Sequence, residues 1–353
     1  MIRKQQPTTK NKQQITQKSF WYIVALSREL TANTVLSRTV LGEWLVVFRG
    51  EEGEVVVLRD RCLHRNSRLS KGKVHRGQLE CPYHGWRYDK LGHIVAVPAE
   101  GEQFQPLQSR CAKRYATIEQ EGYIYVHLDT PNPEFLPFKM PFYGQSGWET
   151  VRVVNRFPNT VTNCAENFID IPHTATVHPG IFRSPRKQRL EMTVTRKNGS
   201  VFVEYRKETN NLGWYSRFLN QRGSEIQHTD SFVMPNITSV EYNMGRHRRL
   251  FITSQSIPET DNSTLVYTDV TYNYGIWNKL ARPLVYWTAQ KIIQQDVVAL
   301  GIQGEVIAKY GQSFSNTPAD TIHVFVESIM QKIEQGEDPR ELSEQVREVQ
   351  FWV

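Results

Sequence analysis

Four residues of metal-ligand type fall in two tight pairs, Cys62-Leu63-His64 and Cys81-Pro82-Tyr83-His84, with sixteen residues between them. Thiolate and imidazole ligands must come within about 2–2.3 Å of a metal. Two short pairs meet that demand with little loop entropy to overcome, provided the fold sets two loops face to face. Two chemistries suit the set. One is a [2Fe–2S] cluster with two thiolates on one iron and two imidazoles on the other. The other is a Cys2His2 zinc site.

A second signature follows, Asp170-Ile171-Pro172-His173-Thr174-Ala175-Thr176-Val177-His178. It offers two imidazoles beside a carboxylate. Two histidines and a carboxylate on one face of an octahedron suit non-haem iron and leave the opposite face open. His173 and His178 are five apart, which a regular helix would separate by roughly 140°. Local distortion has to bring both rings to one metal, and Pro172 and Pro179 supply a cause.

At 353 residues the chain is expected to form about two domains. The net charge of +7 is dispersed, apart from short runs at Arg246-His247-Arg248-Arg249 and Lys10-Asn11-Lys12. Dispersal argues against nucleic acid and suits an acidic electron-transfer partner. Beyond the ligand pairs only Cys111 and Cys164 remain, too few for a disulfide framework. No apolar run is long enough for a transmembrane helix. The stretch 1–18 has no apolar core and reads as a disordered basic tail rather than a signal peptide. A cytoplasmic protein is expected.

Short β-rich runs follow the tail: Phe20 to Ala25, Trp44 to Phe48, Val55 to Leu58, Gly77 to Cys81, Ile94 to Val97 and Tyr123 to Leu128. They predict a small antiparallel β domain over 19–130, with both ligand pairs on loops between strands. Four prolines between Thr130 and Pro141 mark a crossover into the second domain, 131–353. There, Asn163 to Thr176 is expected to be helical. Runs at 190–195, 201–205, 231–240, 249–256 and 264–274 predict one extended antiparallel sheet. Helices are expected over Pro283–Tyr310 and Ala319–Gln335. Pro283 is placed in a first turn, and Leu284, Trp287, Ile292, Val297, Leu300 and Ile307 form a buried stripe. The fold class is α+β: an N-terminal antiparallel β domain, then an antiparallel sheet flanked by helices.

Cys62-Leu63-His64-Arg65 with Cys81-Pro82-Tyr83-His84-Gly85-Trp86 resembles the Rieske box of ring-hydroxylating oxygenase α subunits, and Glu166-Asn167-x2-Asp170-x2-His173-x4-His178 resembles the iron motif of the same family. The compact spacing is similar to the α-only monooxygenase and demethylase group. The resemblance implies Cys62 and Cys81 on one iron of a Rieske [2Fe–2S] cluster and His64 and His84 on the other. Asn66 departs from the family, where many members have Gly. The resemblance further implies a mononuclear Fe(II) held by His173, His178 and a carboxylate from a C-terminal helix. Gln295-Asp296-Val297-Val298 resembles that segment, which makes Asp296 the third ligand and Glu305 the fallback. Asp170 would bridge His173 to His84 of a neighbouring subunit, so a homotrimer is implied. Asn167 would make a supporting contact.

What the resemblance implies for function is O2-dependent hydroxylation or oxidative demethylation of a small organic, cyclic substrate. The chain has no flavin or nicotinamide motif, so electrons from NAD(P)H must arrive through a separate ferredoxin or flavin reductase. Arg65, Arg68, Lys71, Lys73 and Arg76 form a candidate docking patch. The rival class is a Rieske electron-transfer protein whose second domain only docks. Among residues outside the motifs, Phe232, Met234, Asn236, Tyr242, Tyr272 and Tyr274 are candidates for a substrate pocket; His75, His93, His127, His228, His247 and His323 stand apart from ligand partners, with His228 able to line the pocket if the sheet forms.

Overall fold

The N-terminal half of the chain alternates short β-rich runs with turn residues, and it builds three small antiparallel sheets. The computed structural model describes residues 14–106, 109–180, 188–206, 226–245 and 248–353. Most of the basic tail and the Arg246-His247 pair lie outside the described residues. Trp21–Leu26 pairs with Tyr123–His127, which pairs with Ala116–Gln120. Leu36–Val40, Glu43–Arg49 and Val55–Arg59 form the second sheet. Lys73–His75, Gln78–Glu80, Arg87–Tyr88 and Ile94–Ala96 form the third. All four of those strands run only two or three residues, too short to give a periodic signal.

The second half carries one eight-stranded antiparallel sheet. Its order is Glu149–Phe157, Ser263–Asn273, Arg249–Thr260, Ile237–Asn243, Gln227–Val233, Ser200–Arg206, Arg189–Lys197 and Gln345–Trp352. The extended sheet expected from the sequence is therefore present, with two corrections. The run 231–240 is a hairpin that turns at Met234–Asn236 rather than one strand, because Pro235 cannot donate to a ladder. The two edge strands went unrecognised because polar residues are spread through both, Arg152, Asn155 and Arg156 in one and Arg347, Glu348 and Gln350 in the other.

Strands Arg249–Thr260 and Ser263–Asn273 are buried almost throughout, since both sheet faces are covered. Ile252, Thr268 and Val270 face the helices and a cavity. Gln255 and Asp269 face the N-terminal half, where Gln255 donates to the Tyr125 hydroxyl at 3.0 Å.

Among the described residues, four helices cover the first of those faces: α1 (Val161–Asn167), α2 (Pro172–Val177), α3 (Asn278–Tyr310) and α4 (Thr321–Glu334). The single helix expected over 163–176 is broken at 168–171, and Pro172 opens the second piece. Helix α3 starts five residues before Pro283, so Pro283 lies inside it. Pro283 and Lys279 are both exposed there, and the carbonyl that loses its partner faces water.

The expected stripe on α3 is rotated by about one residue. Val285, Thr288, Ala289, Ile293, Asp296 and Leu300 are buried, whereas Leu284 and Trp287 are exposed. Two close approaches lock this register. A Cβ on Gly304 would lie 2.1 Å from the Pro158 carbonyl oxygen, and Asn159 Nδ2 donates to the Leu300 carbonyl at 2.8 Å. Helix α3 is thereby held against the segment that leads into α1.

The two halves share a buried polar contact. Arg152 Nε lies 3.1 Å from Asp269, whose side chain is fully buried, and the Tyr123 hydroxyl donates to the same carboxylate. Burial pushes the Asp269 carboxyl up, against the pull of Arg152 and Tyr123. Removing one partner of a buried pair costs about 3–5 kcal/mol, because a lone buried charge remains. Arg152→Ala is expected to lower unfolding stability by that amount in urea titration, with part of it recovered when Asp269→Asn is added.

Candidate metal centres and their cavity

The two ligand loops of the N-terminal half are the same turn used twice. Cys62 N–H donates to Ser67 O at 2.8 Å and Asn66 N–H to Cys62 O at 3.1 Å. In the other loop Cys81 N–H donates to Trp86 O at 2.8 Å and Gly85 N–H to Cys81 O at 3.1 Å. The fifth residue of each loop needs a left-handed backbone, with φ of 59° at Asn66 and 69° at Gly85. Asn is among the few non-glycine residues that adopt this conformation readily. The departure at Asn66 therefore preserves the turn, and its Oδ1 accepts from Arg61 Nε at 2.8 Å.

The loops bring all four expected ligands to one end of the domain. Cys62 and Cys81 are both buried in one core cluster. The His64 and His84 rings lie 4.5 Å apart on the solvent side, with His84 exposed. Trp86 stacks on His64 at 4.6 Å. The Tyr88 hydroxyl sits 3.2 Å from Cys62 Sγ and accepts from Leu63 N–H at 3.0 Å. Burial holds that hydroxyl far above the usual phenol range, so it stays protonated and can donate to a thiolate.

Nothing in the sequence marked Tyr88 for this role. His64 Nδ1 is buried without a hydrogen-bond partner. A single tetrahedral zinc would draw all four donors within about 4 Å of one another. Among the described residues these four form no such group. A thiol pole and an imidazole pole fit a two-iron cluster.

One group of three ligands does converge among the described residues. Single ligand atoms of His173, His178 and Asp296 all lie within 4.8 Å of each other. His178 Nε2 is 2.9 Å and His173 Nε2 3.6 Å from Asp296 Oδ1. The distortion expected between the two histidines is a helix end: α2 stops at Val177, and His178 takes φ −119° and ψ 53°.

Each ring is held from behind by an acceptor. His173 Nδ1 is 3.0 Å from Asp170 Oδ2, and His178 Nδ1 is 2.9 Å from Gln295 Oε1. With the protons at Nδ1, two nitrogen lone pairs face a buried carboxylate oxygen that has no hydrogen-bond donor. Three acceptors aimed at one point suit a metal cation between them. Gln295 stood inside the quoted segment, but its reach to His178 could not be read from the sequence. Glu305 is exposed on α3, away from this group.

Asp170 also accepts from the His173 N–H at 3.2 Å and keeps about a third of its side chain exposed. Asn167 ends α1 and lines the cavity, with Nδ2 buried and without a hydrogen-bond partner. The cavity walls are largely apolar: Phe168, Ile169, Val240, Ile252, Val270 and Ile293. Of the candidate pocket residues, Tyr242 and His228 line it. Phe232 and Tyr272 belong to the core, Met234 packs on Gly199, and Asn236 bonds the Ser256 carbonyl.

Two histidines are less isolated than expected. His323 Nδ1 lies 2.5 Å from Glu166, and His228 pairs with Asp230. In the candidate docking patch, Arg68 is committed to buried Asp60 at 2.6 Å and Lys73 to Glu80 at 3.2 Å. Arg65, Lys71 and Arg76 remain exposed. Burial pushes the Cys164 thiol up to about 12, as suits an inert core residue.

Residues 20–116 match the Rieske [2Fe-2S] domain, and residues 160–335 match the vanillate O-demethylase oxygenase C-terminal domain. The chain belongs to the Rieske non-haem iron oxygenase family. It is 26% identical over 300 residues to the chloroplastic protein TIC 55 of Arabidopsis thaliana, covering 82% of this chain and 54% of the relative. It is 33% identical over 196 residues to methylxanthine N1-demethylase of Pseudomonas putida, covering 53% of this chain and 54% of that one.

The chain thus spans about half the length of the curated relatives it matches. The fold is that of dicamba monooxygenase bound to 3,6-dichlorosalicylic acid, with a TM-score of 0.79 at 22% identity over 91% of this chain and 98% of the other. No helix among the described residues is long and apolar enough to cross a membrane.

The separation of the two centres sets the expected effect of mutation. Cys81→Ser should abolish labile sulfide and visible absorbance in the purified protein. His178→Ala should leave both unchanged and lower iron by one atom per chain, as metal analysis will show. A wild-type protein that carries zinc and no sulfide contradicts the assignment.

Proposed function

We propose that this chain is an oxygenase component that uses O2 and externally supplied electrons to hydroxylate, or oxidatively demethylate, a small cyclic organic substrate. The observation that carries this is the His173–His178–Asp296 group opening onto a largely apolar cavity. A domain that served only for docking, in a Rieske electron carrier, has no use for such a site. The relatives include a methylxanthine demethylase, a toluene-4-sulfonate monooxygenase subunit and aminopyrrolnitrin oxygenase. Those names support a cyclic organic substrate.

When bound, the [2Fe–2S] cluster supplies electrons and the mononuclear iron supplies oxygen activation. The protein does the rest. Cys62, His64, Cys81 and His84 hold the cluster, and His173, His178 and Asp296 hold the iron. Asp170 and Gln295 keep the Nδ1 protons in place and orient both imidazoles. The apolar walls exclude water and take up the substrate body.

In a homotrimer the exposed side of Asp170 reaches His84 of the partner subunit, giving a short path between centres. Electrons from NAD(P)H arrive through a separate ferredoxin or flavin reductase, for which Arg65, Lys71 and Arg76 offer charge. The free thiols of Cys111 and Cys164 suit a reducing compartment such as the cytoplasm.

Asp170→Asn keeps the helix contacts and removes the bridging charge. Stopped-flow single turnover of the reduced protein should show cluster reoxidation slowed by about 10–100-fold with both metals retained. An unchanged rate argues against the bridge.

A further inference from the structure

Helix α3 turns two faces to different surroundings. Its inner face carries Ala289, Ile293 and Asp296, which line the cavity. Its outer face, over the first half of the helix, is apolar and exposed. Leu280, Leu284 and Trp287 recur at spacings of four and three, so they form one stripe along the axis. Relative exposure is 72% at Leu280, 48% at Leu284 and 59% at Trp287. The turn that leads into the helix, Gly275–Trp277, adds Ile276 at 92% and Trp277 at 59%. Tyr286, also exposed, flanks the stripe.

This is not a fraying helix end. Asn278, the first residue of α3, is buried. Its Nδ2 donates to the Gly147 carbonyl at 2.8 Å, and its Oδ1 accepts from the Tyr274 N–H at 2.6 Å. Arg282 is tied to Glu149 at 3.1 Å. The segment from Asn278 to Lys291 is therefore an anchored ridge about 20 Å long, at about 1.5 Å per residue.

Scattered exposed apolar residues need no explanation, but a contiguous set marks an interaction surface. Charge narrows the occupant. Between Gly275 and Gln295 the sequence has Lys279, Arg282 and Lys291 and no Asp or Glu. All three basic residues are exposed. Lys291 continues the stripe itself, four residues after Trp287, with its Nζ over the Trp287 ring at 5.4 Å from the centroid. Lysine is depleted at the cores of protein–protein interfaces. An apolar stripe flanked by Trp, Tyr, Lys and Arg is instead the composition of a helix that lies in a membrane interface. Long basic side chains there keep their charge among the headgroups while their stems cover apolar surface. Beyond Lys291 the outward face changes character: it runs on as Gln294, Val298, Ile302 and Glu305, with a carboxylate and no ring.

We propose that the first half of α3 rests on a bilayer surface, with Ile276, Trp277, Leu280, Leu284 and Trp287 at the headgroup–acyl boundary and Lys279 and Lys291 on anionic headgroups. The helix lies on the membrane and does not span it. The proposal goes beyond the oxygenase reading and does not need it. Where both hold, the helix that touches the bilayer is also a wall of the cavity, which suits a substrate that partitions into lipid.

The test is co-sedimentation of the purified holoprotein with vesicles of phosphatidylcholine alone, or of phosphatidylcholine carrying phosphatidylglycerol as the anionic lipid. At low salt the protein should bind the anionic vesicles at least about tenfold more tightly than the neutral ones, since each basic side chain near such a surface multiplies affinity about fivefold. Tryptophan emission should shift to the blue on binding. Leu280→Glu combined with Leu284→Glu should weaken binding to the anionic vesicles by at least about tenfold. Cluster absorbance, and the oligomeric mass by light scattering, should stay as in the wild type.

No binding to the anionic vesicles, equal binding to the neutral ones, or binding that the double variant retains overturns the proposal. A wild-type oligomer that falls apart in the double variant shows that a second copy of the chain covers this face, and overturns it as well. The two wild-type comparisons stand even if the variant fails to fold.

Discussion

Two histidine nitrogens converge on one buried carboxylate oxygen in this chain, His178 Nε2 at 2.9 Å and His173 Nε2 at 3.6 Å from Asp296 Oδ1. Much of the second domain exists to hold that arrangement. Gln295 and Asp170 keep protons on the far side of each ring. Gly304 and Asn159 draw α3 onto the segment before α1, which fixes Asp296 opposite the two histidines. The long helix gives up its larger apolar residues to solvent so that Asp296 faces inward. A metal cation among the three would engage both nitrogens and the carboxylate at once.

The N-terminal centre obeys a different constraint. The four residues proposed as its ligands need two poles rather than one focus, and two copies of one tight turn supply them. Burial separates the poles: thiols inside, imidazoles toward solvent. The same separation puts His84 where a neighbouring surface can reach it. The Arg152–Asp269–Tyr123 contact and the two-sided burial of Arg249–Thr260 then fix one domain on the other.

Much of this was legible in the sequence because metal ligation restricts residue type and spacing together. Cys62, His64, Cys81, His84, His173 and His178 stand in short motifs, and the α+β layout followed from strand-like runs. Asp296 was reachable only through family resemblance, since an aspartate within a helix usually faces water. The α3 stripe was misplaced for the same reason: its buried face includes Thr288 and Asp296, which no apolar pattern selects.

Residues that act through tertiary contact left no local signal. Tyr88 meets Cys62 from 26 residues away and Gln295 meets His178 from 117. His228 and Asp230 pair on one strand of a hairpin whose turn a single strand-like run conceals.

One iron is proposed to sit among His173, His178 and Asp296, apart from the cluster. A crystal of the holoprotein measured on both sides of the iron absorption edge tests this directly. An iron-specific anomalous peak bounded by His173 Nε2, His178 Nε2 and Asp296 is expected, in addition to the peak at the Cys62–His84 loops. Iron density at the cluster alone, or a metal other than iron among those three side chains, would contradict it.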